Sequence, residues 1–170
     1  MNATLDAWNK ADEAAAHNAM LACCGARRWA QAMVALRPIA GILELSEAAD
    51  RVWGTMEEAD WLEAFAAHPR VGERKRAHVG TAKSATWSRG EQASIMGATG
   101  QVLDELAEGN AAYEKKFGFT YIVCATGRGA EELLAILNRR LGRDRASELR
   151  EAAEQQRQIT QLRLGKWLVE

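Results

Sequence analysis

A chain of 170 residues with a formal charge of −1 is long enough to close one hydrophobic core without disulfides or a structural metal. Its basic and acidic residues are interspersed, so no face is made to follow phosphates or an anionic bilayer, and nucleic acid and membrane are set aside as partners. Apolar runs fall short of the roughly 20 residues of a spanning helix, no signal-peptide order opens the chain, and three cysteines, Cys23 and Cys24 adjacent, fit a reducing cytoplasm.

Apolar residues recur at Leu5, Trp8, Ala15, Ala19 and Met20 with Asp6, Lys10, Asp12 and Glu13 opposite, which predicts one amphipathic helix over residues 4–21. A second helix spans 28–36 through Trp29, Met33 and Leu36 and ends before Pro38. Ser46 and Glu47 open a third, and residues 57–67 carry Trp61, Leu62 and Phe65 on one stripe down to His68. Residues 73–87 are polar and basic without clear periodicity, a connection that reads either as a lid or as disorder. Ser88 and Glu91, in SRGEQ, have the spacing of a capping box, so a helix is expected to start there, weakened at Gly97 and Gly100 and continued over 102–116.

FGFTYIVCA, residues 117–125, has the composition of a strand. A lone strand has nothing to pair with in a chain otherwise helical, so a buried helix is expected instead. A turn at 126–129, a helix over 130–141 and a long last helix capped by Asp144 complete the chain. With two prolines and no hairpin signal, the expected fold is all-α, a single-domain bundle of about eight helices over residues 1–170.

His68 is followed by Pro69, whose ring disfavours α geometry for the residue before it, so the imidazole is expected at a helix end on an extended backbone. A histidine there can carry protons, because its ordinary pKa is about 6.5. It can equally cap the helix, whose dipole favours a cation at that end. Glu91 divides in the same way, between a carboxylate that does chemistry and half of a capping box that does none. Arg163, in QLRLG, is an ordinary solvated arginine unless Leu162 and Leu164 hold it near the core.

His17, His68 and His78 lack the spacing of a helical zinc site, the cysteines lack a C-x-x-C pair, and no phosphate loop is present. Neither metal nor organic cofactor is expected. Trp8, Trp29, Trp53 and Trp61 fall on inward stripes and are assigned to the core, as are Cys23 and Cys24.

Taken together, CCGARRWAQAMVALRP, DWLEAFAAHPRVG, SRGEQ, NAAYEKKFGFTYIVCA and ITQLRL are specific. The series resembles the OHCU decarboxylase family of urate degradation, nearly end to end over residues 5–164 and in the family's motif order. The resemblance implies an all-helical fold and decarboxylation of 2-oxo-4-hydroxy-4-carboxy-5-ureidoimidazoline to (S)-allantoin without metal or organic cofactor, commonly by a homodimer. It also implies His68 as the catalytic histidine, Glu91 as its partner carboxylate and Arg163 as the active-site arginine. Pro69, Ser88 and Gln92 match substrate-contacting positions, and Ile122, Val123, Cys124 and Ala125 match a segment whose backbone lines the pocket. Two positions depart from the family pattern, Ile39 where phenylalanine is commoner and Ser94 where many members have glycine.

On the residues alone, two other classes stay open. One is a catalytically silent helical module that binds ureide-like small molecules or a partner protein. The other is a metal-dependent hydrolase built on the histidines, which elemental analysis would expose.

Overall fold

The computed structural model describes residues 2–73, 80–95 and 97–170, and in them every regular element is helical. Those residues divide into two compact units, one of 2–64 with 157–170 and one of 65–156.

The first unit opens with α1, Ala3–Lys10, and α2, Glu13–Cys23, where the sequence had suggested one helix over 4–21. The break is made by Asp12, whose carboxylate accepts from Ala15 N–H at 2.8 Å and so starts a new helix at a residue type suited to N-caps. α3, Arg27–Ala35, buries Trp29, Ala30 and Met33 and ends before Pro38 as expected. α4, Ile42–Gly54, starts a turn earlier than Ser46, because Ser46 is used elsewhere: its hydroxyl donates to Gln161 at 2.8 Å. α5, Glu58–Ala66, leads out of this unit. Two core indole N–H groups are satisfied by backbone, that of Trp8 by the Ala16 carbonyl at 3.0 Å and that of Trp29 by the Ala49 carbonyl at 3.2 Å.

In the second unit α6 spans Ala82–Glu91, capped by the Thr81 hydroxyl, which accepts from Ser84 N–H at 3.0 Å. This corrects two expectations. Residues 82–87 are helical rather than loop, and Ser88 and Glu91 lie in the last turn of a helix rather than at the start of one. The lid or disorder reading of 73–87 otherwise falls largely on residues 74–79, outside the described ones. A short 3-10 turn, Ala93–Ile95, precedes α7, Gly100–Phe117, which Thr99 caps. Gly118 closes α7 at φ +82°, the left-handed conformation that a C-terminal glycine supplies without strain.

Residues 118–125 form neither the expected helix nor a strand; they run as irregular backbone, with Phe119, Tyr121, Ile122, Val123 and Ala125 buried. Buried backbone without a ladder must find partners, and side chains supply them. Arg140 Nη1 donates to the Ile122 carbonyl at 2.7 Å, and Gln155 Oε1 accepts from Cys124 N–H at 2.9 Å. The aromatic residues that gave the segment its strand-like composition pack as a cluster, with Tyr113–Phe117 ring centres 4.6 Å apart and Tyr113–Tyr121 centres 5.3 Å apart.

α8, Ala130–Leu141, packs on α7, and α9, Arg145–Trp167, begins at Asp144 as expected. A Cβ on Gly109 of α7 would stand 2.6 Å from Leu137 Cδ2, and Leu137 is itself fully buried on α8. Gly109→Ala is therefore expected to destabilise the protein by about 1–3 kcal/mol despite alanine's better helix propensity. Urea unfolding checks this; a stabilised variant would mean that Leu137 has room to move.

Candidate active site

His68 lies two residues beyond the end of α5, its backbone N–H turned to the Phe65 carbonyl at 3.1 Å. Pro69 and Arg70 follow without regular structure, Val71 and Gly72 form a turn, and each part of this loop is tied down. Arg70 makes a two-pronged pair with Glu114 of α7 at 2.7 and 2.6 Å. Asn110 Nδ2, also on α7, donates to the Val71 carbonyl at 2.9 Å, and Gln92 Oε1 accepts from Gly72 N–H at 2.9 Å. Gly72 turns the chain at φ +82°, where a side chain would be strained.

The imidazole itself is turned to α9: His68 Nε2 and the Gln156 side-chain oxygen are 2.7 Å apart, with Gln156 fully buried. A ring held in this way is not spent on capping α5. Ser88 is buried in the last turn of α6 and Gln92 is that helix's C-cap, so the two positions expected to touch substrate flank Glu91. Residues 122–125 belong to the same unit, Cys124 only partly buried and its neighbours buried.

Glu91 carries the sharpest change of reading. At an N-terminus the helix would have favoured its charge; at the C-terminus of α6 the dipole opposes it. The capping-box account of this carboxylate therefore fails.

Arg163 lies in the first compact unit and is 3% exposed, so it is not the solvated arginine that its type predicts. Thr160 and Cys24 are its neighbours in that unit; burial pushes the Cys24 thiol up to about 11, against the opposing pull of the Thr160 hydrogen bond and the Arg163 charge. Cys24 is thus a neutral thiol at neutral pH.

The residues missed at the sequence level are Gln156, Asn110, Glu114 and Gln155. One signal was available for the first: Gln156, Thr160 and Arg163 recur at i, i+4 and i+7 of α9, polar residues at core-facing positions, and all three are buried. Of the two departures from the family pattern, Ser94 donates its hydroxyl to the Arg128 carbonyl, and Ile39 is buried with its backbone paired to Asn9 at 2.9 and 2.8 Å. His78 lies outside the described residues, and among those described no three His, Cys, Asp or Glu side chains cluster as metal ligands would.

Fold and site together define an all-α protein with a histidine on an anchored loop, its ring paired with a buried carboxamide. The model of one family, OHCU decarboxylase, matches residues 9–165. The chain belongs to the OHCU decarboxylase family. It is 37% identical over 145 residues to the uric acid degradation bifunctional protein TTL of Arabidopsis thaliana, covering 85% of this chain and 44% of that protein. It is 44% identical over 55 residues to the 2-oxo-4-hydroxy-4-carboxy-5-ureidoimidazoline decarboxylase of Amia calva, covering 32% of this chain and 31% of that enzyme. These alignments span less than half the length of either relative. A solved structure of OHCU decarboxylase in the presence of (S)-allantoin superposes with a TM-score of 0.77 at 34% identity, covering 90% of this chain and 99% of that one.

Proposed function

We propose that this chain decarboxylates 2-oxo-4-hydroxy-4-carboxy-5-ureidoimidazoline to (S)-allantoin and carbon dioxide, with no cofactor, as a single catalytic domain over residues 1–170. The observation that carries the reading is the likeness to an OHCU decarboxylase crystallised in the presence of (S)-allantoin over nine-tenths of the chain, joined to a histidine loop tied down at three successive residues.

Loss of carbon dioxide leaves an electron pair on carbon, and this substrate carries its own sink. The bond from C4 to the carboxylate breaks, its electrons form a double bond to C5, and the C5=N pair moves onto nitrogen. The ring nitrogen takes up a proton from solvent, the resulting enol loses its hydroxyl proton and gains one at C5, and delivery to one face makes the S isomer. We assign His68 to that proton traffic, either taking the hydroxyl proton or delivering one to carbon. Glu91 is its partner carboxylate, whose charge favours the imidazolium formed while His68 holds the proton. Arg163 grips a carboxylate or ureido oxygen through its planar fork of donors. Holding the departing carboxylate equally in ground and transition states would not speed its loss, so the arginine's role is positioning. Pro69, Ser88, Gln92 and the segment from Ile122 through Val123, Cys124 and Ala125 shape a pocket for a planar, urea-like ligand.

Glu91→Gln separates chemistry from stability. Removing a charge that the α6 dipole opposes is expected to leave stability unchanged or raised by about 0.3–1 kcal/mol, while turnover falls. Thermal unfolding and turnover measured together check this; stability lost with activity kept would return Glu91 to a structural role.

A homodimer in the cytoplasm completes the proposal. Exposed Leu36, Ile42 and Leu43 are compatible with self-association, and no helix among the described residues is long and apolar enough to cross a membrane. The direct test of the activity is carbon dioxide release from freshly generated substrate above the spontaneous rate, and release at the spontaneous rate would refute it.

A further inference from the structure

We propose that Gln156 is a positioning residue that holds His68 as the Nε2–H tautomer, leaving Nδ1 as the nitrogen that takes and returns the proton. The inference rests on the decarboxylase reading for what the proton does, but its geometry stands apart from it. The Gln156 side-chain oxygen is 2.7 Å from His68 Nε2. An amide oxygen only accepts, so the hydrogen between the two belongs to the ring, and in a neutral imidazole the other nitrogen is then the base.

The loop does not need Gln156 for its backbone, which Glu114, Asn110 and Gln92 already anchor at Arg70, Val71 and Gly72. What Gln156 adds is contact with the ring. Nor does burial call for a carboxamide: Ala152, Ala153 and Ile159, about a turn before and after it on α9, are buried apolar residues, and a buried amide costs stability unless it is hydrogen-bonded. Its neighbour Gln155 uses the same kind of group on the Cys124 N–H at 2.9 Å. Consecutive glutamines of one helix thus hold the imidazole and the backbone of the segment assigned to the pocket wall.

Long-range proton–nitrogen NMR of the histidine rings reads the tautomer in the wild-type protein without substrate, with His68 assigned by its absence in His68→Asn. A neutral ring with hydrogen on Nε2 and none on Nδ1 is expected, and the opposite tautomer would overturn the proposal. Because no turnover enters that spectrum, the tautomer can be right or wrong independently of the decarboxylase assignment. Two variants then test the consequence. Gln156→Leu is expected to lower kcat by about tenfold or more, the direction of loss that a wrong tautomer causes, with KM changed by less than about threefold. Gln156→Glu still accepts from Nε2–H and should outperform leucine at alkaline pH, where the imidazole beside a new carboxylate is neutral. A residue that only filled the core would show the reverse order, since leucine is the easier to bury; a folded Gln156→Leu with wild-type kcat would equally overturn the proposal.

Discussion

His68→Asn is expected to fold normally and to lose turnover by ~10²- to 10⁴-fold, the range typical of removing a general acid or base. Normal folding follows from the anchoring of the loop: its ties run through Arg70, Val71 and Gly72 and do not use the imidazole. Asparagine also tolerates non-helical backbone, so the segment before Pro69 keeps its shape. Circular dichroism and urea unfolding establish the fold, and steady-state kinetics on freshly generated substrate establish the loss. A stable variant with near-normal kcat would remove His68 from the chemistry.

The second large effect is on stability. Arg140 of α8 and Glu148 of α9 are 2% and 0% exposed and form a close ion pair, Glu148 also accepting from the Tyr113 hydroxyl at 2.6 Å. Burial, and then the hydrogen bond to Glu148, push the Tyr113 phenol well above its ordinary pKa, so it remains a neutral donor in this network. Arg140→Met would leave the buried Glu148 carboxylate with only the exposed Arg143, 3.8 Å away, as a cation, and the Ile122 carbonyl without its Arg140 donor. The expected cost is about 3–5 kcal/mol in urea unfolding. Replacing Glu148 as well, by leucine, should recover much of the loss, because an apolar pair carries no stranded charge. A single variant that lost less than about 1 kcal/mol would show that the pair is not what holds residues 118–125 in place.

These two networks mark where the sequence was legible and where it was not. Helix content was plain from periodicity at residues 28–36, 57–67 and 130–141, each of which matches a helix within a residue or so. α6 escaped because its sequence, AKSATWSRGE, has little amphipathic pattern. The S-x-x-E spacing then suggested a start at Ser88 where the helix is finishing, since the same spacing is also one turn of any helix interior. For 117–125 the premise was sound and the conclusion was not. A strand indeed has no partner there, but Arg140 and Gln155 supply hydrogen bonds to buried backbone that periodicity cannot register.

At the site, the placement of His68 just beyond a helix end followed from Pro69, a local effect on one bond. Its partner Gln156 is 88 residues away, and no local rule reaches that far. Arg163 was undervalued because its residue type predicts exposure, whereas the buried polar face of α9 keeps it inside.

The central claim is that this chain converts the ureidoimidazoline to one enantiomer of allantoin by proton transfer through His68. Circular dichroism of the product as it forms tests that most directly, with wild type, His68→Asn and no protein compared side by side. Wild type is expected to give rapid, optically active (S)-allantoin, while the variant and the blank give slow, racemic product; racemic product from wild type at the spontaneous rate, or S product from the variant at the wild-type rate, would contradict the claim.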